Sequence, residues 1–166
     1  MKKQHIVYLS LGSNIEPREQ NLQTAIELIR KHYEVRNELL ISPIYESDPW
    51  GFQTEIKFLN LCIQAQTEKT PQEILKINQY IENELGRKPK KTDQYESRPI
   101  DIDILFFDNQ IIYTEELIVP HPHLEKRRFV LFPLNDLICN LLHPVLLKTI
   151  KELKEICTDV SEPKRY

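Results

Sequence analysis

The helix opened by Thr70-Pro71-Gln72-Glu73 constrains the fold of this chain more than any other stretch. Threonine followed three residues later by glutamate is a capping box, and proline at the first helical position has no N–H to leave unpaired. Ile74, Ile77, Ile81 and Leu85 then recur at spacings of three and four, which gives one buried stripe. Gly86 can end the helix in the left-handed conformation. Extended runs flank this helix on both sides. Upstream, residues 56–67 alternate, with Leu59, Leu61, Ile63 and Ala65 on one face and Phe58, Asn60 and Cys62 on the other. Downstream, residues 100–107 read as a further strand.

The first part of the chain repeats that rhythm. Residues 5–11 read as a buried strand, broken by Gly12-Ser13-Asn14. Ser13 or Asn14 can cap the helix that follows, with Pro17 near its first turn. Leu22, Ile26, Ile29 and Tyr33 form its apolar face. Residues 35–46 look extended and lead into a loop carrying Asp48-Pro49-Trp50-Gly51. The order strand, helix, strand, strand, helix, strand predicts an α+β fold: a ferredoxin-like βαββαβ antiparallel sheet with both helices on one face. Residues 1–107 would form this core. Residues 108–160 would add a C-terminal extension: a turn at Asp108-Asn109, a short strand near Ile111-Ile112, a loop through Pro120 and Pro122, and helices. The last helix shows Leu146, Ile150, Leu153 and Cys157, and residues 161–166 read as frayed.

A length of 166 residues fits a single domain spanning 1–166, and 40% apolar with 28% charged residues is an ordinary globular balance. The net charge of −3 gives no basic excess for nucleic acid as the main partner. The apolar run of residues 6–11 is too short to span a membrane and no small-residue cleavage site follows it, so a cytoplasmic protein is expected. The three cysteines form no C-x-x-C, so neither a disulfide framework nor a zinc site is indicated.

Arg98-Pro99-Ile100-Asp101-Ile102-Asp103-Ile104-Leu105 carries the sharpest chemical signal. Residues two apart on a strand point the same way, so the two carboxylates stand roughly 6–7 Å apart on one face. Like charges that close repel, and magnesium, which prefers hard oxygen ligands, would compensate them. Alone, the same pattern also describes a solvated strand face. The preceding loop carries Arg87, Lys88, Lys90, Lys91 and Arg98 against Asp93 and Glu96. A basic loop beside paired carboxylates suits a polyphosphate with its metal, although charge runs are commonly just solvated. Phe58 and Asn60 share a face, offering a ring to stack and an amide to pair with a flat heterocycle, although on their own they read first as a partly exposed aromatic beside a structural asparagine. Pro120-His121-Pro122-His123 and Arg127-Arg128-Phe129 add a rigid, cationic and aromatic stretch. With three glycines and no G-x-x-x-x-G-K-[ST], the chain cannot build a P-loop.

Together these segments resemble the 6-hydroxymethyl-7,8-dihydropterin pyrophosphokinase family of folate biosynthesis. The likeness runs in order from Tyr8-Leu9-Ser10-Leu11-Gly12-Ser13-Asn14, through Tyr45-Glu46-Ser47-Asp48-Pro49-Trp50-Gly51 and Phe58-Leu59-Asn60, to Arg98-x-x-Asp101-Ile102-Asp103, Val119-Pro120-His121-Pro122 and Arg127-Arg128-Phe129. The resemblance implies a ferredoxin-like enzyme that transfers the β,γ-pyrophosphoryl group of ATP to a pterin hydroxymethyl group and releases AMP. It implies two Mg2+ ions on Asp101 and Asp103, with Arg87 and Arg98 also catalytic. Phe58 and Phe129 would sandwich the pterin, Asn60 and the region of Ser47, Asp48 and Trp50 would read its edge, and Tyr95 would fold over it. Gln79, Arg87, Arg98, Ile104, His121 and Arg127 would contact ATP. The expected partners are these two small molecules, without nucleic acid or membrane, for a monomeric protein. Glu96-Ser97 stand where the family usually shows glycine and a small residue or proline, and Glu116 lies near a position where some members carry arginine. A non-catalytic ferredoxin-like module that binds a small ligand is the competing reading, and a nucleic-acid binder is a third.

Overall fold

The computed structural model describes residues 3–51, 53–88 and 96–166. Strand β1 (His5–Ser13) is central, and helix α1 (Arg18–His32) follows it. Two short strands, β2 (Leu40–Ile41) and β3 (Tyr45–Ser47), precede the long β4 (Phe58–Thr67), helix α2 (Pro71–Glu84) and strand β5 (Asp101–Phe107). All the pairings are antiparallel: β5, β1, β4, β3 and β8 (Lys164–Arg165) lie side by side in that order, and β2 also pairs with β4. A separate ribbon joins β6 (Ile112–Tyr113) to β7 (Ile118–Val119), and helices α3 (Arg128–Ile138) and α4 (Ile150–Ile156) complete the chain.

The capping box at Thr70 forms as expected, with Thr70 N–H donating to Glu73 and Glu73 N–H donating to the Thr70 hydroxyl. Gly86, at φ +90°, turns the chain out of α2, a conformation that disfavours a side chain. One face of the sheet packs on α1 and α2 through Leu9, Leu11, Leu59, Leu61, Ile63, Leu22, Ile29, Ile74 and Ile81. The opposite face is also covered. Tyr8, Cys62 and Phe106 pack against Val130, Leu131, Leu134, Ile150 and Leu153 of α3 and α4.

β5 changes its alternation midway. Ile100, Ile102 and Ile104 enter the α1–α2 core, whereas Leu105 and Phe106 both join the α3–α4 core before Phe107 returns. The register against β1 slips between Tyr8 and Leu9, the signature of a bulge that inserts Leu105. The bulge leaves the Leu105 carbonyl free of the ladder, and the His121 N–H donates to it at 3.0 Å.

Four expectations are corrected. β1 continues through Gly12 to Ser13, and α1 starts after Pro17 with no side-chain cap, because Asn14 is used elsewhere. Within residues 35–46, extended structure is confined to β2 and β3. Leu146 lies outside the last helix, which begins at Ile150 behind a second capping box on Thr149 and Glu152. Residues 161–166 are not frayed: Lys164 and Arg165 pair with Glu46 and Tyr45, and Pro163 is buried.

Candidate active site

Register across the sheet aligns the predicted residues. Asp101 stands opposite Gly12, Gly12 opposite Asn60, and Asn60 opposite Tyr45. A second row places Asp103 against Ser10, and Ser10 against Cys62. With strands about 4.8 Å apart, Asp101 and Asn60 lie roughly 10 Å apart across a floor where Gly12 contributes no side chain. The helices α3 and α4 cover the sheet beyond this row, so the aspartate end stays open.

Two cavities meet there. The first is lined by Ser10, Gly12, Ser47, Asp48, Trp50, Phe58, Asn60, Arg98, Asp101, Arg127 and Phe129. Asn60 is 2% exposed, and its amide nitrogen donates to the Ser47 hydroxyl at 2.8 Å. That bond fixes which way the amide faces. Arg127 lies 4.5 Å over the Trp50 ring and 5.8 Å from the Phe129 centroid, a cation held among aromatic faces. The second cavity is a larger, more polar groove. It runs between α2 and the β7–α3 connection, and its lining includes Gln79, Glu82, Arg87, Asp103, Glu116 and His121. Arg98, Asp101 and Arg127 line both.

Charge is arranged tightly around the junction. Asp101 pairs with Arg87 at 2.9 Å and Arg98 at 3.1 Å. Asp103 is 36% exposed at its side chain, but protein atoms crowd it in the groove. This desolvation, with the nearby charge of Asp101, pushes its pKa upward. His121 Nε2 lies 3.7 Å from Asp103, and burial together with Arg127 lowers the His121 pKa to about 4. The imidazole is therefore neutral near pH 7.

Sequence reasoning passed over three residues that hold this arrangement. Glu82 sits on α2, 8% exposed, where it pairs with Arg87 and accepts the Ile102 N–H at 2.8 Å. It thereby ties α2 to β5 beside the aspartates, and its pKa is raised by burial and by Asp101. Asn14 is fully buried. Its Oδ1 accepts the Arg98 N–H at 2.7 Å and its Nδ2 donates to the Ser97 hydroxyl at 2.9 Å, which pins the end of the basic loop. Gly12 read as a break in the strand and is instead the open floor of the first cavity. A buried glutamate is invisible to periodicity, but Asn14 and Gly12 both fall in a segment that carried the family likeness.

Of the predicted site residues, Ile104 lies in the α1–α2 core at 4% exposure and lines neither cavity. Tyr95, with Lys90 and Lys91, falls outside the described residues. The Val119–Pro120 peptide bond is cis. Asp101 and Asp103 offer hard oxygen donors, and among the described residues no group of three or more histidine, cysteine or acidic side chains is set to hold a metal. No helix among the described residues is long and apolar enough to cross a membrane.

Comparison with known proteins adds an independent line. An Aquifex aeolicus protein named 2-amino-4-hydroxy-6-hydroxymethyldihydropteridine pyrophosphokinase is 42% identical over 148 residues, covering 89% of each chain. A Bacillus subtilis protein of the same name is 43% identical over 133 residues, covering 80% of this chain and 78% of its own. The crystal structure of Plasmodium falciparum HPPK-DHPS wild type with SDX-DHP superposes with a TM-score of 0.73 at 18% identity. It covers 93% of this chain, which spans 44% of that one, and at this identity the likeness is one of fold. Residues 8–139 match the family described as 7,8-dihydro-6-hydroxymethylpterin-pyrophosphokinase (HPPK). The chain therefore belongs to the 7,8-dihydro-6-hydroxymethylpterin-pyrophosphokinase family.

Proposed function

We propose that this enzyme transfers pyrophosphate from ATP to the hydroxymethyl group of 6-hydroxymethyl-7,8-dihydropterin in folate biosynthesis, giving AMP and the pterin diphosphate. One observation carries the reading: a compact aromatic and amide-lined cavity joins a longer cation-lined groove at Asp101. The first has the chemistry for a flat heterocycle, whose faces would meet Phe58 and Phe129 and whose edge would meet Asn60, Ser47, Asp48 and Trp50. The groove suits a nucleotide triphosphate, with Arg87, Arg98, His121 and Arg127 toward its phosphates and Gln79 toward the far end. Neutral His121 can donate a hydrogen bond without adding charge.

The residues fit magnesium. Asp103 is charged at a cost in this setting, close to Asp101, and a divalent cation relieves that cost. With Glu82 of the same groove engaged by Arg87 and the Ile102 N–H, Asp101 and Asp103 are the carboxylates proposed as ligands, and the remaining ligands would be phosphate oxygens and water, the usual magnesium pattern. Asp101 and Asp103 would hold two such ions, which would supply charge neutralisation on the phosphates and help align them for in-line displacement. Asp101 and Asp103 hold that position, Arg98 and Arg127 span both substrates, and Asn60 orients the ring so that its hydroxymethyl oxygen faces the β-phosphorus. The hydroxymethyl oxygen bonds to the β-phosphorus, the bond from that phosphorus to the α,β-bridging oxygen breaks so that AMP departs with the oxygen, and the hydroxyl proton passes to solvent water.

We read the β5-β1-β4-β3 order as the ferredoxin-like split βαβ arrangement, in one domain whose residues 108–160 complete the ATP groove. Cytoplasmic action on two small molecules by a monomer completes the proposal. The test is metal dependence of pterin turnover. Chelation should abolish the consumption of both substrates and added Mg2+ should restore it, whereas turnover unaffected by chelation would overturn the metal role.

A further inference from the structure

The slot between Phe58 and Phe129 has walls from different parts of the chain. Phe58 and Asn60 belong to β4, and Ser47 lies at the end of β3, paired with Phe58. Phe129 is the second residue of α3. β3 is only three residues long, so pairing with β4 alone leaves its outer edge with unmet N–H and C=O groups. Helix α3 starts at Arg128 with no side-chain cap from Arg127.

Segment 159–166 meets both needs. Asp159 Oδ2 accepts the Arg128 N–H at 2.9 Å, which supplies the missing cap beside Phe129. The Arg128 guanidinium donates to the Ser161 carbonyl at 3.0 Å and to Glu162 at 3.1 Å. Further along, Lys164 and Arg165 pair with Glu46 and Tyr45, and the Tyr166 N–H donates to the Ile44 carbonyl at 2.9 Å. Arg165 donates to Asp136 of α3 at 2.9 Å and to the Tyr45 hydroxyl at 3.2 Å. Tyr166 donates to Glu19 at 2.6 Å. The same eight residues thus grip the start of α3 and complete β3.

We propose that segment 159–166 is a strap that sets the distance between the Phe129 wall and the Ser47 wall, with Asp159 and Arg165 as positioning residues for the pterin. This rests on the reading of the first cavity as the pterin site. None of the strap's contacts described above reaches a residue of the groove assigned to ATP, so the two substrates should respond differently.

The experiment uses the full chain with Asp159→Ala, Arg165→Ala and the double substitution. Arg165→Lys and Asp159→Asn serve as milder variants should the double fail to fold. Calorimetry would measure 6-hydroxymethylpterin binding in the presence of Mg2+ and α,β-methylene-ATP, and binding of that nucleotide alone. Pterin affinity should fall about fivefold for each alanine variant, the scale of losing one cap or charge-assisted hydrogen bond. Nucleotide affinity should stay unchanged, KM for the pterin should rise more than kcat falls, and Arg165→Lys should recover part of the loss. Unchanged pterin affinity in the variants, or equal losses for both ligands, would overturn the strap. Failure of the unsubstituted protein to bind pterin would overturn the site reading and this proposal together.

Discussion

Gly12→Ala separates pocket shape from fold more cleanly than any other substitution in the site. Gly12 lies within β1 and is not among the glycines with positive φ, so alanine meets no backbone strain. Within a strand, restricting the unfolded chain favours alanine by roughly 0.5–1 kcal/mol, which the contact with Asn60 offsets at least in part. A Cβ at this position would stand 3.1 Å from Asn60 Oδ1 and 3.6 Å from Phe58 Cδ1. The first distance is shorter than an ordinary van der Waals contact, and the Asn60 amide is tethered to Ser47 at 2.8 Å. The amide must therefore shift against that tether, into the space where it would meet the pterin edge. Loss of one hydrogen bond costs about 1 kcal/mol and disturbance of a ring stack about 0.5–1.5 kcal/mol. The sum, about 1.5–2.5 kcal/mol, corresponds to about a 10- to 60-fold weaker pterin Kd. Titration calorimetry with pterin, and separately with the ATP analogue, reads this directly, and a thermal melt reads the fold. Wild-type pterin affinity in Gly12→Ala, or an equal loss for nucleotide, would refute the assignment of this cavity.

Asp101→Asn and Asp103→Asn should each lower kcat at least about a hundredfold, the scale of removing a group that acts only in the transition state. Because the Asp103 charge is disfavoured where it stands, Asp103→Asn should also hold or raise Tm; a marked fall would contradict the crowding described for it. The histidine contribution to stability should decline with acid in the window below the ordinary histidine pKa of about 6.5, while the raised carboxyl pKa values of Asp103 and Glu82 act in the opposite sense. Buried His143 accepts the Val145 and Leu146 N–H groups on Nδ1, at 3.2 and 3.1 Å, in its neutral form. Its pKa is lowered by burial, partly offset by Glu125, so the unfolded chain binds the proton more readily and the contribution of His143 to stability falls as pH drops through this range. His121 adds to the same fall, down to about pH 4. His143→Asn, which keeps an acceptor but no titrating ring, should gain Tm relative to wild type as pH falls from 7 to 5, and a difference that does not vary with pH would count against the assignment.

Local signals carried much of this molecule. The Thr70 capping box, the alternation of β4 and the two same-facing aspartates each depend on neighbours in sequence, and all three stand where they were expected. Features that arise from distant partners were not legible. The Leu105 bulge is defined only by its register against β1, and it decides where His121 docks. Glu82 sits where a helix usually meets solvent; its burial follows from Arg87 and the Ile102 N–H, well downstream. Asn14 resembled a helix cap because asparagine is a common one, yet its partners Ser97 and Arg98 lie far along the chain. Lys164-Arg165 shows no apolar alternation at all, since it pairs as an outer edge and leaves both side chains exposed.

The account's central claim is the position of attack on the nucleotide, and the identity of the nucleotide product tests it most directly. ATP, Mg2+ and 6-hydroxymethyl-7,8-dihydropterin mixed with the protein should yield AMP and pterin diphosphate in equal amounts, with no nucleotide product when the pterin is omitted. ADP as the product, or AMP released without the pterin, would contradict it.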